Sequence, residues 1–94
     1  MAGFTWDAPK DPDEEKDYAV DWTNQLPGGD TIVESTWPTV PTGITKMSDS
    51  FSNTGTTIWL SGGTANQTYE FVNRVRTAGG RLLDVTCKLK CKTK

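Results

Sequence analysis

The chain contains no histidine. That absence removes the commonest general base, the commonest neutral metal ligand and every Ser–His or Cys–His nucleophile arrangement. It has two cysteines, Cys87 and Cys91, in what reads as a single strand. Four residues of strand span about 13 Å at ~3.3 Å per residue, whereas a disulfide needs α-carbons within roughly 7 Å. The two cannot bridge each other on a regular strand, and without imidazole or further thiols they are too few for a zinc site. Long apolar runs are missing as well, so no transmembrane helix and no membrane partner are expected. The start, MAGFTWDAPK, shows neither the basic nor the apolar stretch of a signal peptide, and the expectation is a protein made in the cytoplasm. Only 34% of the 94 residues are hydrophobic. Such a chain supports one domain with a thin core, many turns and exposed strand faces, which suits a β-sandwich and not a helical bundle.

What is present is divided along the chain. Met1 to Ser50 carry ten acids and three lysines, a net charge of −7, and Phe51 to Lys94 carry seven bases and two acids, a net charge of +5. Within one domain this means either that acidic and basic strands pair or that the molecule has two poles that dock on copies of itself or on a charged partner. The overall charge of −2 does not suit a nucleic-acid binder, which is more often basic.

Residues 1–15 read as an extended N-terminal arm: DAPKDPDEE has two prolines, five acids and no apolar period. Phe4 and Trp6 stand out in it, since leaving each in water forgoes roughly 1.5–3 kcal/mol of burial. They are expected to pack on this domain or on a neighbouring subunit. From residue 16 to 94 the pattern is that of strands. DYAVDWTN alternates with Tyr18, Val20 and Trp22 on one face, LPGGD turns the chain, and TIVESTW follows. WPTVPTG, with two prolines, belongs at a sheet edge or in a crossing between sheets. GITKMSDS and TGTTIWLSG are two further strands. QTYEFVNRVRT alternates Tyr69, Phe71, Asn73 and Val75 against Glu70, Val72, Arg74 and Arg76, and RLLDVTCKLKCK alternates Leu83, Val85, Cys87, Leu89 and Cys91 against Asp84, Thr86, Lys88, Lys90 and Lys92. Six to seven short strands separated by turns, with no amphipathic helix, predict an all-β, immunoglobulin- or fibronectin-like β-sandwich.

Several stretches resemble sites and do not hold up. SGGT after the strand IWL looks like a phosphate loop, but a strand and not a helix follows it, so it is expected to be a hairpin-type turn. DPDEEKD lacks the glycine and the terminal bidentate Glu of an EF-hand loop. Asn66-Gln67-Thr68 has no secretory context for glycosylation. No catalytic, cofactor or metal residues are identified. Of the four tryptophans, Trp22 and Trp59 are placed in the core by their strands, while Trp6 and Trp37, beside irregular segments, are candidates for a partner surface. Cys87 reads as a small core residue. Cys91 lies among lysines, which lower a thiol's pKa, and is a candidate for an intermolecular disulfide.

DPDEEKDYAVDWTNQL, GDTIVESTW, Pro41-Thr42-Gly43-Ile44-Thr45, TTIWLSGGT, Tyr69 with Val72-Asn73-Arg74-Val75, and TAGGRLLDVTCKLK together resemble a family. It comprises small immunoglobulin-like virion proteins of tailed bacteriophages, of the fibre-tail adaptor or minor structural type. The resemblance covers Asp11 to Lys90. It implies a non-enzymatic protein of the virion, present in many copies or as a homo-oligomer, that bridges or decorates capsid, tail or fibre subunits through its sandwich faces and arm. Phe4, Trp6, Trp37, Lys88 and Lys90 are the contact candidates. The alternative reading is a carbohydrate-binding sandwich on the virion surface that stacks sugars on Trp6 or Trp37.

Overall fold

The computed structural model describes residues 2–94. Seven strands form two sheets: β1 (Ala2–Thr5), β2 (Lys16–Asp21), β3 (Ile32–Thr39), β4 (Ile44–Phe51), β5 (Gly55–Gly62), β6 (Thr68–Thr77) and β7 (Leu82–Lys90). One sheet has the order β1-β7-β6-β3 and the other β2-β5-β4. All pairs are antiparallel except β1 with β7, which run parallel. Lettered A to G in chain order, this is the immunoglobulin-type sandwich with the first strand set against the last, and it agrees with the architecture expected from the alternating runs. One 3₁₀ turn, Thr23–Gln25, follows β2.

The strands form where apolar residues recur every second position. In β6 that rule buries Tyr69, Phe71, Asn73, Val75 and Thr77, and in β7 it buries Val85, Cys87 and Leu89. Their partners from the facing sheet are Tyr18 and Val20 of β2, Trp22 just beyond it, and Ile58 and Leu60 of β5. Pro38 lies in β3, an edge strand, as expected for a proline in a sheet, and one of its two register shifts, between Thr36 and Thr39, spans Pro38. The Gly63–Gln67 connection is not a hairpin: β5 and β6 belong to different sheets, so this segment arches between them. Gly63 is needed in the arch, because a β-carbon there would stand 2.8 Å from the Cys91 sulfur and its φ is +99°.

A side-chain amide sits in the middle of this apolar core. Asn73 is fully buried, and all four hydrogen-bonding positions of its amide are filled. Trp22 Nε1–H (3.0 Å) and the Thr56 hydroxyl (2.6 Å) donate to Oδ1, while Nδ2 donates to Ser35 Oγ (3.1 Å) and the Thr36 carbonyl (2.9 Å). The donors come from one sheet and the acceptors from the other.

The N-terminal segment is extended, as its sequence suggests, but it is not a free arm. Beyond β1 the ladder continues with Trp6 N–H to the Lys88 carbonyl (2.9 Å), then Lys10 N–H to the Lys90 carbonyl (3.0 Å) and Lys92 N–H to the Lys10 carbonyl (2.9 Å). Lys10 is buried and its ammonium donates to the Gly62 (2.6 Å) and Asp11 (3.0 Å) carbonyls. Glu14 accepts from Asp11 N–H (2.8 Å) and pairs with Lys94 (2.9 Å), so the strap is fastened to the chain's last residues.

Two changes test these supports. Asn73→Ala strands the Trp22 and Thr56 donors and opens a cavity, and should lower stability by about 2–4 kcal/mol, with Trp22→Phe costing less because Oδ1 keeps Thr56. Chemical denaturation reads both; an Asn73→Ala variant within 0.5 kcal/mol of the parent, as an order-of-magnitude threshold, would show the amide to be dispensable. Trp6→Ala should cost about 3–5 kcal/mol and lower the melting temperature by more than 10 °C, at roughly 4–8 °C per kcal/mol for a domain of this size. A melting curve that hardly moves would mean that the strap merely rests on the sheet.

Candidate interaction surfaces

The residues expected to face a partner divide into two groups. Trp6 and Trp37 are only 8% and 6% exposed, and both belong to the core cluster. Trp6 stacks on Tyr18, Trp37 and Phe71 at ring-centroid distances of 5.0, 6.3 and 5.8 Å, and its Nε1–H donates to the Ala19 carbonyl at 2.8 Å. It closes the gap between the sheets, so it acts on the fold and presents no surface for a sugar or a protein. Trp37, turned inward beside the β3 register shift, encloses its Nε1–H without an acceptor. Phe4 remains 38% exposed, edge-on to Trp6 at 5.9 Å. Lys88 and Lys90 point outward from β7 and are exposed.

Trp59 corrects the sequence reading in the opposite direction. It was expected in the core and is 42% exposed, while its neighbours Ile58 and Leu60 are fully buried. Three consecutive apolar residues cannot share one face of a strand, because alternate side chains leave opposite sides. The signal was present in the triplet itself: if Ile58 and Leu60 are inside, Trp59 is out. Its cross-strand partners are Asp17 of β2 and Ser48 of β4. Val33, Met47, Phe51 and Leu82 are further large apolar side chains at the surface.

The opposite charges of the two halves meet inside the domain in part. Arg76–Glu34 (3.8 Å), Arg81–Asp30 (3.0 Å) and Lys94–Glu14 (2.9 Å) all join the basic half to the acidic half. Asp30 also accepts from Gly79 N–H (2.9 Å), and with the Thr77 hydroxyl as the largest cause its carboxyl is held below the usual range. On the outer face of the four-stranded sheet, Arg74 grips Asp84 with two hydrogen bonds (2.8 and 3.0 Å), which lowers the Asp84 pKa. A shallow groove of about 440 Å³ on that face is lined by Gly3, Phe4, Thr5, Glu70, Thr86 and Lys88.

Cys91 is not the exposed, activated thiol that its lysine neighbours suggest. It is 2% exposed beneath Gly63, and burial raises its pKa more than Lys10 lowers it. An intermolecular disulfide has no accessible sulfur in this conformation. Cys87 is enclosed as expected, and desolvation pushes its thiol up to about 12; burial, then Glu14, does the same to the Tyr18 phenol, also to about 12. The folded protein therefore holds the Cys87 proton at a pH where the unfolded chain has released it. That contribution to stability is complete below pH 9 and is lost as pH rises toward 12, at up to 1.36 kcal/mol per pH unit. Urea midpoints measured from pH 7 to 11 should fall above pH 9, and Cys87→Ala should flatten the fall between pH 9 and 10; a parallel fall in both proteins would assign it to other groups.

A model of the family described as podophage GP4 fiber-tail adaptor protein gp77 matches residues 10–90. No curated protein matches the chain. The matched span runs from the buried Lys10 through the end of β7 and takes in six of the seven strands with the Asn73 network. The domain built here is thus the one the family model describes, and the chain belongs to the podophage GP4 fiber-tail adaptor protein gp77 family.

Proposed function

We propose that the protein is a non-enzymatic structural adaptor that links fibre subunits to the tail of the virion through its sandwich faces and the Phe4 end of its N-terminal strap. The observation that carries this reading is the family match over residues 10–90, which takes in six of the seven strands of the sandwich. The chemistry of the surface supports it. The carboxylates with lowered pKa are used to fasten loops and strands, Asp30 to the β6–β7 turn, Asp84 to Arg74, Asp21 to Thr23 and Asp11 to the last residue. The exposed surface meanwhile keeps Phe4, Trp59, Met47 and Phe51 in water, where contact with a partner would shelter them. Lys88, in register with Thr5, and Lys90 offer cations on the outer face of β7. Multiple copies arranged by the symmetry of the tail fit such a role.

Particles assembled by a phage in which this gene is interrupted should carry tails without fibres in electron micrographs, and adding the purified protein should restore the fibres. Fibres attached at parental numbers in its absence would refute the role.

A further inference from the structure

The two outer faces of the sandwich are clothed differently. On the four-stranded sheet, long charged side chains lie across the strands and neutralise one another, Arg74 with Asp84 and Arg76 with Glu34. Much of the charge on that face is thus neutralised within it, Lys88 and Lys90 apart. On the three-stranded sheet the central strand carries Trp59, and the residues around it are short. Asp17 and Ser48 flank it in register, Thr57 and Ser61 precede and follow it on the same face of β5, and Ala19 stands opposite Thr57. The residues in register with it are short, and the one long neighbour, Met47 in the β4 bulge, is itself 49% exposed; the tryptophan in the middle of the sheet remains 42% exposed.

The charge of this face has one sign. Asp17 and Asp21 point outward from β2, whereas Lys16 and Lys46 are both in register with Leu60 and so belong to the opposite side of the sheet. Asp17 is exposed and enters none of the ion pairs among the described residues. An open indole ring beside the unpaired Asp17 carboxylate favours a guanidinium or ammonium group, which gains both the π face and the ion pair.

We propose that the outer face of the three-stranded sheet, centred on Trp59, is the docking surface for a cationic segment of another virion protein, whose arginine or lysine lies on the Trp59 ring and is met by Asp17. This rests on the adaptor reading and adds the face and the chemistry of the partner. A second copy of this chain would have to use Lys88 and Lys90 of its four-stranded sheet, since Arg74 and Arg76 there are engaged by Asp84 and Glu34, and the cross-link from position 59 tells the two occupants apart. Nucleic acid is repelled by the same carboxylates.

The test places the photo-cross-linking residue p-benzoylphenylalanine at position 59, and separately at position 72 on the outer face of the four-stranded sheet, in virions assembled with each variant. Irradiation should join position 59 to an Arg- or Lys-bearing segment of a different virion protein. In parallel, Asp17→Lys, at an exposed site, should leave the melting temperature unchanged and reduce the copies incorporated per particle about tenfold. This arm gives a result even if position 59 does not accept the substitution. Adducts from position 59 to a second copy of this chain, to a segment without Arg or Lys, or to no protein overturn the proposal, as does normal incorporation of Asp17→Lys. Saturable quenching of tryptophan fluorescence by host surface polysaccharide, abolished by Trp59→Ala, overturns it in favour of a sugar. Adducts from position 72 alone would reject this face and leave the adaptor reading standing, while fibres that attach without the protein would reject the adaptor reading itself.

Discussion

The amide of Asn73 is the point on which the two sheets depend. A buried amide with any of its four positions unfilled costs about 1–3 kcal/mol, so it is tolerated in an apolar core only where geometry fills them all. Here Trp22 at the end of β2 and Thr56 on β5 supply the donors, and Ser35 and Thr36 on β3 supply the acceptors. The contact therefore fixes both the separation of the sheets and the register of four strands. In antibody domains a disulfide joins the second and sixth strands beside a buried tryptophan. In this chain the Trp22–Asn73 hydrogen bond joins the same two strands, and both cysteines are free thiols. The two sheets are thus joined here by hydrogen bonds and not by a covalent bond.

With about a third of its residues apolar, the chain cannot close the sandwich with its strands alone. The strap supplies what is missing. Trp6 fills the space against Tyr18, Trp37 and Phe71, and Lys10 lies beneath the β5–β6 arch, where its ammonium is satisfied by two carbonyls. Because the strap runs alongside β7, the two ends of the chain come together, with Asp11 accepting from Lys94 N–H at 2.8 Å. The acidic N-terminal segment is thereby set against the lysine-rich end. Part of the charge division along the sequence is thus an internal fastening.

Much of this was legible in the sequence, for a physical reason. Where one face of a strand is buried and the other wet, side chains alternate, and β2, β6 and β7 show that alternation with Asn73 in a buried position. The features that escaped lie where alternation is absent or misleading. β1 is four residues long and owes its strand state to β7, not to any pattern of its own. Trp37 sits at a register shift next to proline, where facing cannot be counted from either side. Cys91 follows the period-two rule, and its lysine neighbours describe the opposite face of the strand and not the sulfur's surroundings. Trp59 was misplaced by its hydrophobicity, although its position between Ile58 and Leu60 settled its direction.

The edges of the sheets offer little to a partner strand. An open edge presents unpaired N–H and C=O groups and invites another strand. β3 is blunted by Pro38 and by its register shifts, and β4 by the irregularity between Lys46 and Ser48. The edge of β2 has its Ala19 carbonyl occupied by the Trp6 indole, and β1 is too short to template more than a few residues. A protein that must contact chosen neighbours in a crowded assembly gains from this arrangement, because backbone pairing at an edge discriminates little between sequences, whereas a sheet face recognises its partner by charge and shape.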